Sequence, residues 1–491
     1  MDHHAPHRRE GCGRSRREFL WQTGAGFTGL ALTWLLDRDG FFTRVAGAAP
    51  STASPRKAKR CIFLFMFGGP SQMDLFDHKP ELQRRHGQSI ELERRRGKPM
   101  TSTLVGSRRK FARHGETGQW CSDVFPHVAR HMDKLAVVKS LWTDSFAHGS
   151  AVLQMNTGKF VQGYPSLGSW LSYGLGNDTD ELPAFVVMHD PRGGPISGPT
   201  NWSSGFIPAA HQGTLFRATG APVLDLRPAP IEAGGLGLDR AAQRAQIDAL
   251  AALNRIHAEE RPGASELSAR IESYELAYRM QASAPAALDL SNESAETRRM
   301  YAIDEPKGAH RLSVGPAPFG RQCLIARRLL ERGVRFVQIY HGGGHQQQTW
   351  DAHHGVEENL SIHGPEVDRP IAALLTDLER RGMLDDTLVI WGGEFGRQPM
   401  AQTTITEDGR DHNPKGFTMW LAGAGVKPGS YGETDEIGAE AAVDRHHVRD
   451  FHATILHLMG VDHTKLSYFY GGLDQRLTGP QDAEVIRGIV A

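Results

Sequence analysis

The sequence predicts an α/β protein with a mainly parallel central sheet, and three features support this prediction. Short, continuous apolar runs that stop at glycine or polar residues indicate strands buried on both faces. Segments with a helical apolar period lie between these runs, and such alternation is typical of α/β domains. Acidic residues and histidines gather directly after several runs, where ligands bind in parallel sheets.

The strand pattern begins with residues 61–67, seven consecutive apolar residues closed by Gly68-Gly69-Pro70. Further strands are predicted over residues 135–138, 185–188, 334–339, 387–391 and 418–422. Helices are predicted over residues 241–257, 264–281, 322–332, 370–381 and 451–459. In this order strands and helices alternate through much of the chain, which is the pattern of strands joined by helical crossovers.

Composition narrows the class of protein. The 491 residues carry 56 basic and 56 acidic side chains, so the formal net charge is zero. This balance argues against a nucleic-acid partner, which favours a basic excess. No stretch reaches the roughly 18 consecutive apolar residues that a membrane-spanning helix needs. The histidine count of 24 is high, and it directs attention to metal or acid–base chemistry. The oligomeric state is left open.

The N-terminus carries an export pattern. Ser15-Arg16-Arg17-Glu18-Phe19-Leu20 resembles a twin-arginine signal, an apolar segment follows, and Ala46-Gly47-Ala48 supplies a small-residue cleavage site. The alternative is a buried N-terminal helix. We predict a signal peptide over 1–48, a linker over 49–60, and one domain over 61–491 with insertions near 85–120 and 195–320. The mature protein is therefore expected in the periplasm or outside the cell.

Four residues beside predicted strands suggest a metal centre. Asp351 and His353 follow the strand at 334–339, Glu394 follows the strand at 387–391, and His412 precedes the strand at 418–422. Mixed carboxylate and imidazole ligands suit a divalent ion, here zinc, manganese, iron or calcium. Each residue also has a simpler interpretation: a capping Asp351, an ion pair between Glu394 and Arg397, and a hydrogen-bonded loop His412.

A nucleophile position is predicted where a helix begins after the strand at 135–138. His148-Gly149-Ser150 stands at that helix start, where free backbone N–H groups stabilise an anion. Either His148 or Ser150 fits this catalytic position. The alternative is that Ser150 is an ordinary N-cap.

Several motifs together resemble a known family along nearly the whole chain. Beside the twin-arginine signal they are Phe67–Asp74, His148–Gly158, Pro165–Trp170, Leu182–Val187, Trp350–His353, Glu394–Arg397, Gly409–His412 and Asp450–Thr454. The chain resembles the exported, sulfatase-like family called domain of unknown function 1501 (DUF1501). That family is in turn similar to the alkaline phosphatase/sulfatase superfamily.

This resemblance implies a three-layer sandwich around a mainly parallel sheet, with a metal centre that acts on phosphate or sulfate esters. It adds Asp74, which follows the first strand, to the expected metal ligands Asp351, His353, Glu394 and His412. In such a site, Arg397 or Lys415 would bind the anionic group of the ester. Small esters and esters on polysaccharides are the substrates it implies.

The chain departs from sulfatases at the nucleophile. Counting back nine residues from Thr157 gives His148, without the Cys or the Pro-Ser-Arg that formylglycine formation requires. Phe395 also occupies a place where the superfamily has a metal ligand. The sequence therefore predicts an exported, metal-dependent hydrolase of sulfate or phosphate esters that does not use formylglycine. The alternative is a catalytically inactive, sulfatase-like exported binding protein.

Overall fold

A mixed sheet of nine strands forms the centre of the computed structural model. The structure describes residues 58–95, 98–217, 239–260, 265–344, 346–401 and 408–491. These residues all belong to one compact unit, Ser51–Ala491. The predicted signal peptide and most of the predicted linker lie outside the described residues.

The described strands and helices are numbered separately in chain order. The strands are β1 Arg60–Met66, β2 Ser89–Arg95, β3 Lys98–Thr103, β4 Phe111–His114, β5 Gln119–Ser122, β6 Leu135–Trp142, β7 Phe185–Met188, β8 Thr214–Phe216, β9 Phe336–His341, β10 Thr387–Gly392, β11 Gly396–Arg397, β12 His412–Asn413, β13 Phe417–Ala422, β14 Gly429–Tyr431, β15 Glu433–Thr434, β16 Ala441–Val443, β17 His446–His447, β18 Tyr468–Tyr470 and β19 Leu473–Gln475. The helices are α1 Gln72–Leu75, α2 Pro80–Arg84, α3 His148–Thr157, α4 Leu167–Leu175, α5 Arg240–Glu260, α6 Ser265–Leu288, α7 Ala295–Met300, α8 Ala317–Glu331, α9 Val356–Arg380 and α10 Val448–Leu458.

The central sheet confirms the predicted fold class. Its order is β14-β6-β13-β10-β1-β9-β7-β8, and β17 also pairs with β6. The strands from β10 to β8 run parallel, whereas β13 is antiparallel to both β10 and β6. The antiparallel direction of β13 has a consequence for the site. It places the start of β13 at the same edge as the carboxyl ends of β1, β9 and β10.

Helices cover both faces of this sheet. Alternate residues of β1, such as Ile62 and Leu64, belong to one buried apolar cluster with Leu324 of α8 and Leu374 of α9. On the opposite face α3 reaches the sheet, since the Gln338 side chain donates a hydrogen bond of 2.7 Å to Asn156 Oδ1. The result is the predicted sandwich of helices, sheet and helices.

One helix is much longer than its sequence pattern indicates. The prediction covered only Pro370 to Arg381, where Ile371, Leu374, Leu375 and Leu378 share one face of a helix. In the structure α9 begins at Val356 and contains both Pro365 and Pro370. Burial of Val356, Val367 and Ile371 offsets the backbone hydrogen bonds that the two prolines cannot make.

The two expected insertions contain local elements outside the central sheet. Residues 85–120 include the hairpin β2–β3 and most of the hairpin β4–β5, and residues 195–320 include α5, α6 and α7 together with β8, which does join the central sheet. The described part of the chain contains no helix that is long and apolar enough to span a bilayer.

Candidate metal centre

The polar residues predicted to form a site meet at one edge of the sheet. In register, Met66 of β1 pairs with His341 of β9, and Phe65 pairs with Gly392 of β10. The three strands therefore end side by side, and the loops that follow β9 and β10 leave from this edge. The loop that enters β13 and the first turn of α3 bring His412 and His148 to the same place.

Four side chains form the centre of this site: His148, Asp351, His353 and His412. One ligand atom of each lies within 4.8 Å of the others. Asp351 Oδ1 is 3.1 Å from His353 Nε2 and 3.2 Å from His412 Nε2, and these two nitrogens are 2.8 Å apart. Asp351 Oδ2 is 3.3 Å from His148 Nε2. Three imidazoles thus surround one carboxylate.

His412 is oriented in a way that suits a metal ligand. Its Nδ1 lies 2.7 Å from the Phe146 carbonyl oxygen and must donate a proton to it. Burial, with the charges of Arg397 and His148, lowers the pKa of His412, so the ring is neutral and its Nε2 carries a lone pair. That lone pair faces Asp351 Oδ1, another acceptor. Either a proton on His353 Nε2, which is 2.8 Å from His412 Nε2 and 3.1 Å from Asp351 Oδ1, or a divalent ion among these atoms offsets the repulsion between the two acceptors.

His148 bridges two carboxylates. Its Nδ1 donates a hydrogen bond of 2.6 Å to Glu394 Oε1, and its Nε2 faces Asp351. Burial disfavours the charged ring, but hydrogen bonds and charge from Asp351 and Glu394 raise the pKa of His148 to about 9. Glu394 is fully buried and accepts the Gly68 N–H at 3.0 Å. Glu394 thus orients His148 from behind the centre, although the sequence suggested it as a metal ligand.

Arg397 fixes the central carboxylate from the protein side. Its Nη2 lies 2.6 Å from Asp351 Oδ1, while its other groups donate to the backbone carbonyls of Gly68, Gly69 and Arg410. Burial alone would raise the pKa of Asp351, but Arg397 and the three histidines hold it well below its usual range. The Arg397 side chain is fully buried, so it serves the site by positioning Asp351. Four of its five N–H groups donate to protein oxygens in these bonds, which leaves little of the guanidinium for the expected role in binding substrate anions.

Replacing Gly68 by alanine tests this geometry. Gly68 has φ +114°, and a Cβ atom there would lie 2.6 Å from the Asp351 amide nitrogen. We expect Gly68→Ala to lower the free energy of unfolding by at least ~2 kcal/mol in urea titrations, because backbone must shift. Gly87→Ala is the matched control, since Gly87 has φ +81° and nothing within 4 Å. Equal losses in both variants would contradict the close approach at Gly68.

Asp74 does not join the cluster. Its carboxylate is fully buried and forms a two-pronged ion pair with Arg410, with Nε–Oδ2 and Nη2–Oδ1 distances of 2.7 and 3.2 Å. Ser71 Oγ donates a further hydrogen bond of 2.5 Å. Both oxygens are therefore engaged with the protein, and the structure does not bring Asp74, expected as a metal ligand, to the four-residue cluster.

Ser150 and Lys415 also lie apart from the four-residue cluster. Ser150 Oγ is 2.5 Å from Ser145 Oγ and donates to the Ala147 carbonyl oxygen at 3.2 Å, a local bond in the first turn of α3. The Lys415 side chain is exposed, and its backbone N–H donates to Asn413 Oδ1 at 3.0 Å. Of the two candidates at the start of α3, the structure brings His148 to the centre.

A second buried cluster was missed by the sequence analysis. It comprises His341, His363 and Glu366, with His341 Nε2 3.0 Å and His363 Nδ1 3.3 Å from Glu366 Oε2. Trp350 Nε1 donates to His341 Nδ1 at 3.1 Å, so His341 Nε2 is the donor to Glu366. Arg192 adds an ion pair of 2.9 Å. The spacing of His363 and Glu366, three residues apart on one helix, was the available signal.

A cleft opens beside the centre. It has a volume of about 380 Å³, and His148, Asp351, Thr349 and Arg192 contribute its polar lining. The remaining lining consists of small or apolar residues: Phe67, Gly193, Gly194, Pro195, Ile196 and Gly344. A small ligand in this cleft would contact His148 and Asp351 directly.

Comparisons with known proteins place the chain in a family without revealing its activity. The family described as "Protein of unknown function (DUF1501)" matches residues 58–490. None of the curated proteins matches the sequence.

Three similar solved structures are a phosphonate monoester hydrolase from Silicibacter pomeroyi, the lipoteichoic acid synthase LtaP from Listeria monocytogenes and an alkaline phosphatase superfamily protein from Vibrio parahaemolyticus. Their identities are 11%, 10% and 8%, and their TM-scores 0.31, 0.33 and 0.32. The alignments cover 74%, 88% and 86% of this chain and 71%, 76% and 71% of the others. Likeness at this level carries no conclusion about activity.

Proposed function

We propose that this chain, which belongs to the DUF1501 family, is an exported, metal-dependent hydrolase of phosphate or sulfate esters. The function of the family is unknown, so the proposal rests on the residues of the site. The observation that carries this proposal is the convergence of Asp351 Oδ1, His353 Nε2 and His412 Nε2 within 3.2 Å of one another. Small esters that fit the cleft are the favoured substrates.

Asp351, His353 and His412 are the residues that would hold the ion. Two imidazoles and one carboxylate suit zinc, manganese or iron, whereas calcium prefers oxygen ligands. When bound, such an ion polarises the ester oxygen and offsets the negative charge that develops during hydrolysis. Glu394 and Arg397 lie behind these groups and fix the orientation of His148 and Asp351.

His148 is the residue proposed to move a proton. Its Nδ1 lies 2.6 Å from a Glu394 oxygen and its Nε2 lies 3.3 Å from an Asp351 oxygen, so both nitrogens carry protons. The ring also lines the cleft. The proton on Nε2 can pass to the oxygen of the leaving alcohol as the bond between that oxygen and phosphorus or sulfur breaks. Water supplies the oxygen that replaces it and returns a proton to His148. Ser150, which bonds within its own helix turn, is not assigned a role.

Metal content tests the proposal directly. The mature chain, residues 49–491, is incubated separately with zinc, manganese, ferrous iron and calcium, and bound metal is measured by mass spectrometry. We expect about one ion per chain, and a loss of affinity of at least about 100-fold in His412→Ala. His354→Ala is the control, because His354 lies in the same loop outside the four-residue cluster. Unchanged metal binding in His412→Ala would refute the ligand assignment.

A second candidate function is metal-dependent binding without hydrolysis. Two observations favour it: four of the five N–H groups of Arg397 are engaged with the protein, and Ser150 is engaged locally. Assays with 4-nitrophenyl phosphate and 4-nitrophenyl sulfate on the metal-loaded chain separate the two functions. Release of 4-nitrophenol that disappears in His148→Gln supports the hydrolase. Stoichiometric metal without release from either ester supports the binding protein.

The export part of the proposal depends on the twin arginine, which lies outside the described residues. We expect Arg16→Lys combined with Arg17→Lys to retain the precursor inside the cell, because the twin-arginine route requires the pair. Cell fractionation followed by immunoblotting measures this. Unchanged export of the double variant would contradict a twin-arginine signal.

A further inference from the structure

Helix α5 carries two apolar faces, and only one of them is covered within the described part of the chain. Ile247, Ala251 and Asn254 are buried on one face, and Arg244 of α5 bonds to Glu275 of α6, so α5 lies against α6. Leu253 and Ile256 lie elsewhere on the helix and are 55% and 54% exposed. Side chains of this size are seldom left so open in groups on one helix, and such a face is typical of an interaction surface.

The exposed face follows a seven-residue repeat. If Ala242 is placed at position a, the seam of the repeat contains Ala242, Ala245, Ala249, Ala252 and Ile256 at successive a and d positions. Leu253 lies at position e, beside the seam. All of these residues are exposed, so a second helix could pack along the seam without moving α6.

The charged flank of the seam shows which partner fits. Asp248 and Arg255 lie seven residues apart, both at position g, and both are exposed. Across an antiparallel pair of helices position g faces position g and position a faces position d, so two copies of α5 would bring each Asp248 to the second copy's Arg255. The same register places Ala249 opposite the second copy's Ala252 and Ile256 opposite its Ala245. One alignment thus satisfies the apolar seam and both charge pairs.

We propose that this face of α5 binds a second copy of the chain as an antiparallel, two-fold symmetric helix pair. The charge complementarity of Asp248 with Arg255 selects a second copy over an unrelated partner. Asp248 already lies 2.7 Å from Arg244 of its own helix, so the pair across the interface would extend this ion pair into a network. The contact involves one helix from each copy, and we expect a reversible dimer.

Sedimentation velocity of the mature chain across the micromolar range tests the dimer. The wild type should pass from monomer to dimer as its concentration rises. Ile256→Glu should be monomeric throughout, since it places two carboxylates in the apolar seam. Leu473→Glu is the matched control, because Leu473 is 65% exposed on β19, and it should behave as the wild type.

The charge pair tests the register separately. Arg255→Asp should weaken the dimer at least about tenfold, because it sets two aspartates against each other. Adding Asp248→Arg to that variant exchanges the two charges and should restore dimerisation. A wild type that stays monomeric, or an Ile256→Glu variant that still dimerises, would overturn the proposal. Failure of the exchanged variant to recover would overturn the antiparallel register.

Discussion

Asp351→Asn is expected to abolish metal binding. The carboxylate is the one group that contacts all the other members of the centre, with Arg397, His353, His412 and His148 at 2.6 to 3.3 Å. Asparagine keeps the shape but removes the negative charge that would balance a divalent ion and the buried Arg397 guanidinium. We expect metal affinity to fall by more than about 1,000-fold, since a charged ligand and its orienting contacts are lost together.

Isothermal titration with zinc and with manganese measures this change. Asp411→Asn is the matched control: Asp411 belongs to the adjacent loop, is 45% exposed and lies 3.8 Å from His353 Nδ1. An asparagine there still accepts the His412 N–H, so affinity should change little. Urea titration of both metal-free variants measures whether each variant is folded, so that a loss of metal binding is not mistaken for a loss of the fold. A folded Asp351→Asn chain that binds metal like the wild type would rule out Asp351 as a ligand.

The fold was largely predictable because its strands are buried on both faces. Such strands appear in the sequence as unbroken apolar runs, and β1, β7, β10 and β13 all lie where these runs predict them. The direction of the strands was harder to predict, because nothing in the residues of β13 indicates that it runs antiparallel to β10 and β6. That direction depends on the path of the connecting chain. The N-terminal half of α9 was missed because the helix was predicted only from the apolar period between Ile371 and Leu378.

The sequence pointed to the four residues that the structure brings together, but also to Asp74, Ser150 and Lys415, which lie apart from them. Asp351, His353 and His412 stand beside strand ends, and the rule that ligands gather there was sufficient to find them. Glu394 was assigned to the metal and Arg397 to the substrate because sequence gives residue type without neighbours. In the structure Glu394 faces His148 and Arg397 faces Asp351. Both contacts join segments that are far apart in the chain, and local sequence patterns do not predict contacts of this kind.

Arg410→Met is expected to cause a large loss of stability. Arg410 and Asp74 are both fully buried, and their ion pair ties the segment before β12 to helix α1. Removing the guanidinium leaves a buried carboxylate without a countercharge, which costs about 3–5 kcal/mol. Urea unfolding at neutral pH measures the change. Arg445→Met is a suitable control, because Arg445 is exposed and lies over the Trp142 ring.

The pH dependence of this loss follows from the carboxyl group. Burial would raise the pKa of Asp74, but the charge and hydrogen bonds of Arg410 hold it below its usual value. In the wild type the Asp74 contribution to stability is therefore present above about pH 4 and is lost as the pH falls further. In Arg410→Met, burial acts without the cation and raises the pKa of Asp74. That variant should lose stability as the pH rises above about 4, so its deficit widens toward neutrality.

A double variant separates the unpaired charge from the lost packing. Asp74→Asn added to Arg410→Met removes the buried charge while an amide oxygen can still accept the hydrogen bond from Ser71. If the unpaired carboxylate causes most of the loss, the double variant should recover at least about half of it, and its stability should no longer fall as the pH rises above 4. No recovery would show that Arg410 stabilises this segment mainly through its packing and its hydrogen bond of 3.4 Å to the Gln398 carbonyl oxygen. In that case Asp74 would be free to serve another role, and its assignment as a structural residue would have to be withdrawn.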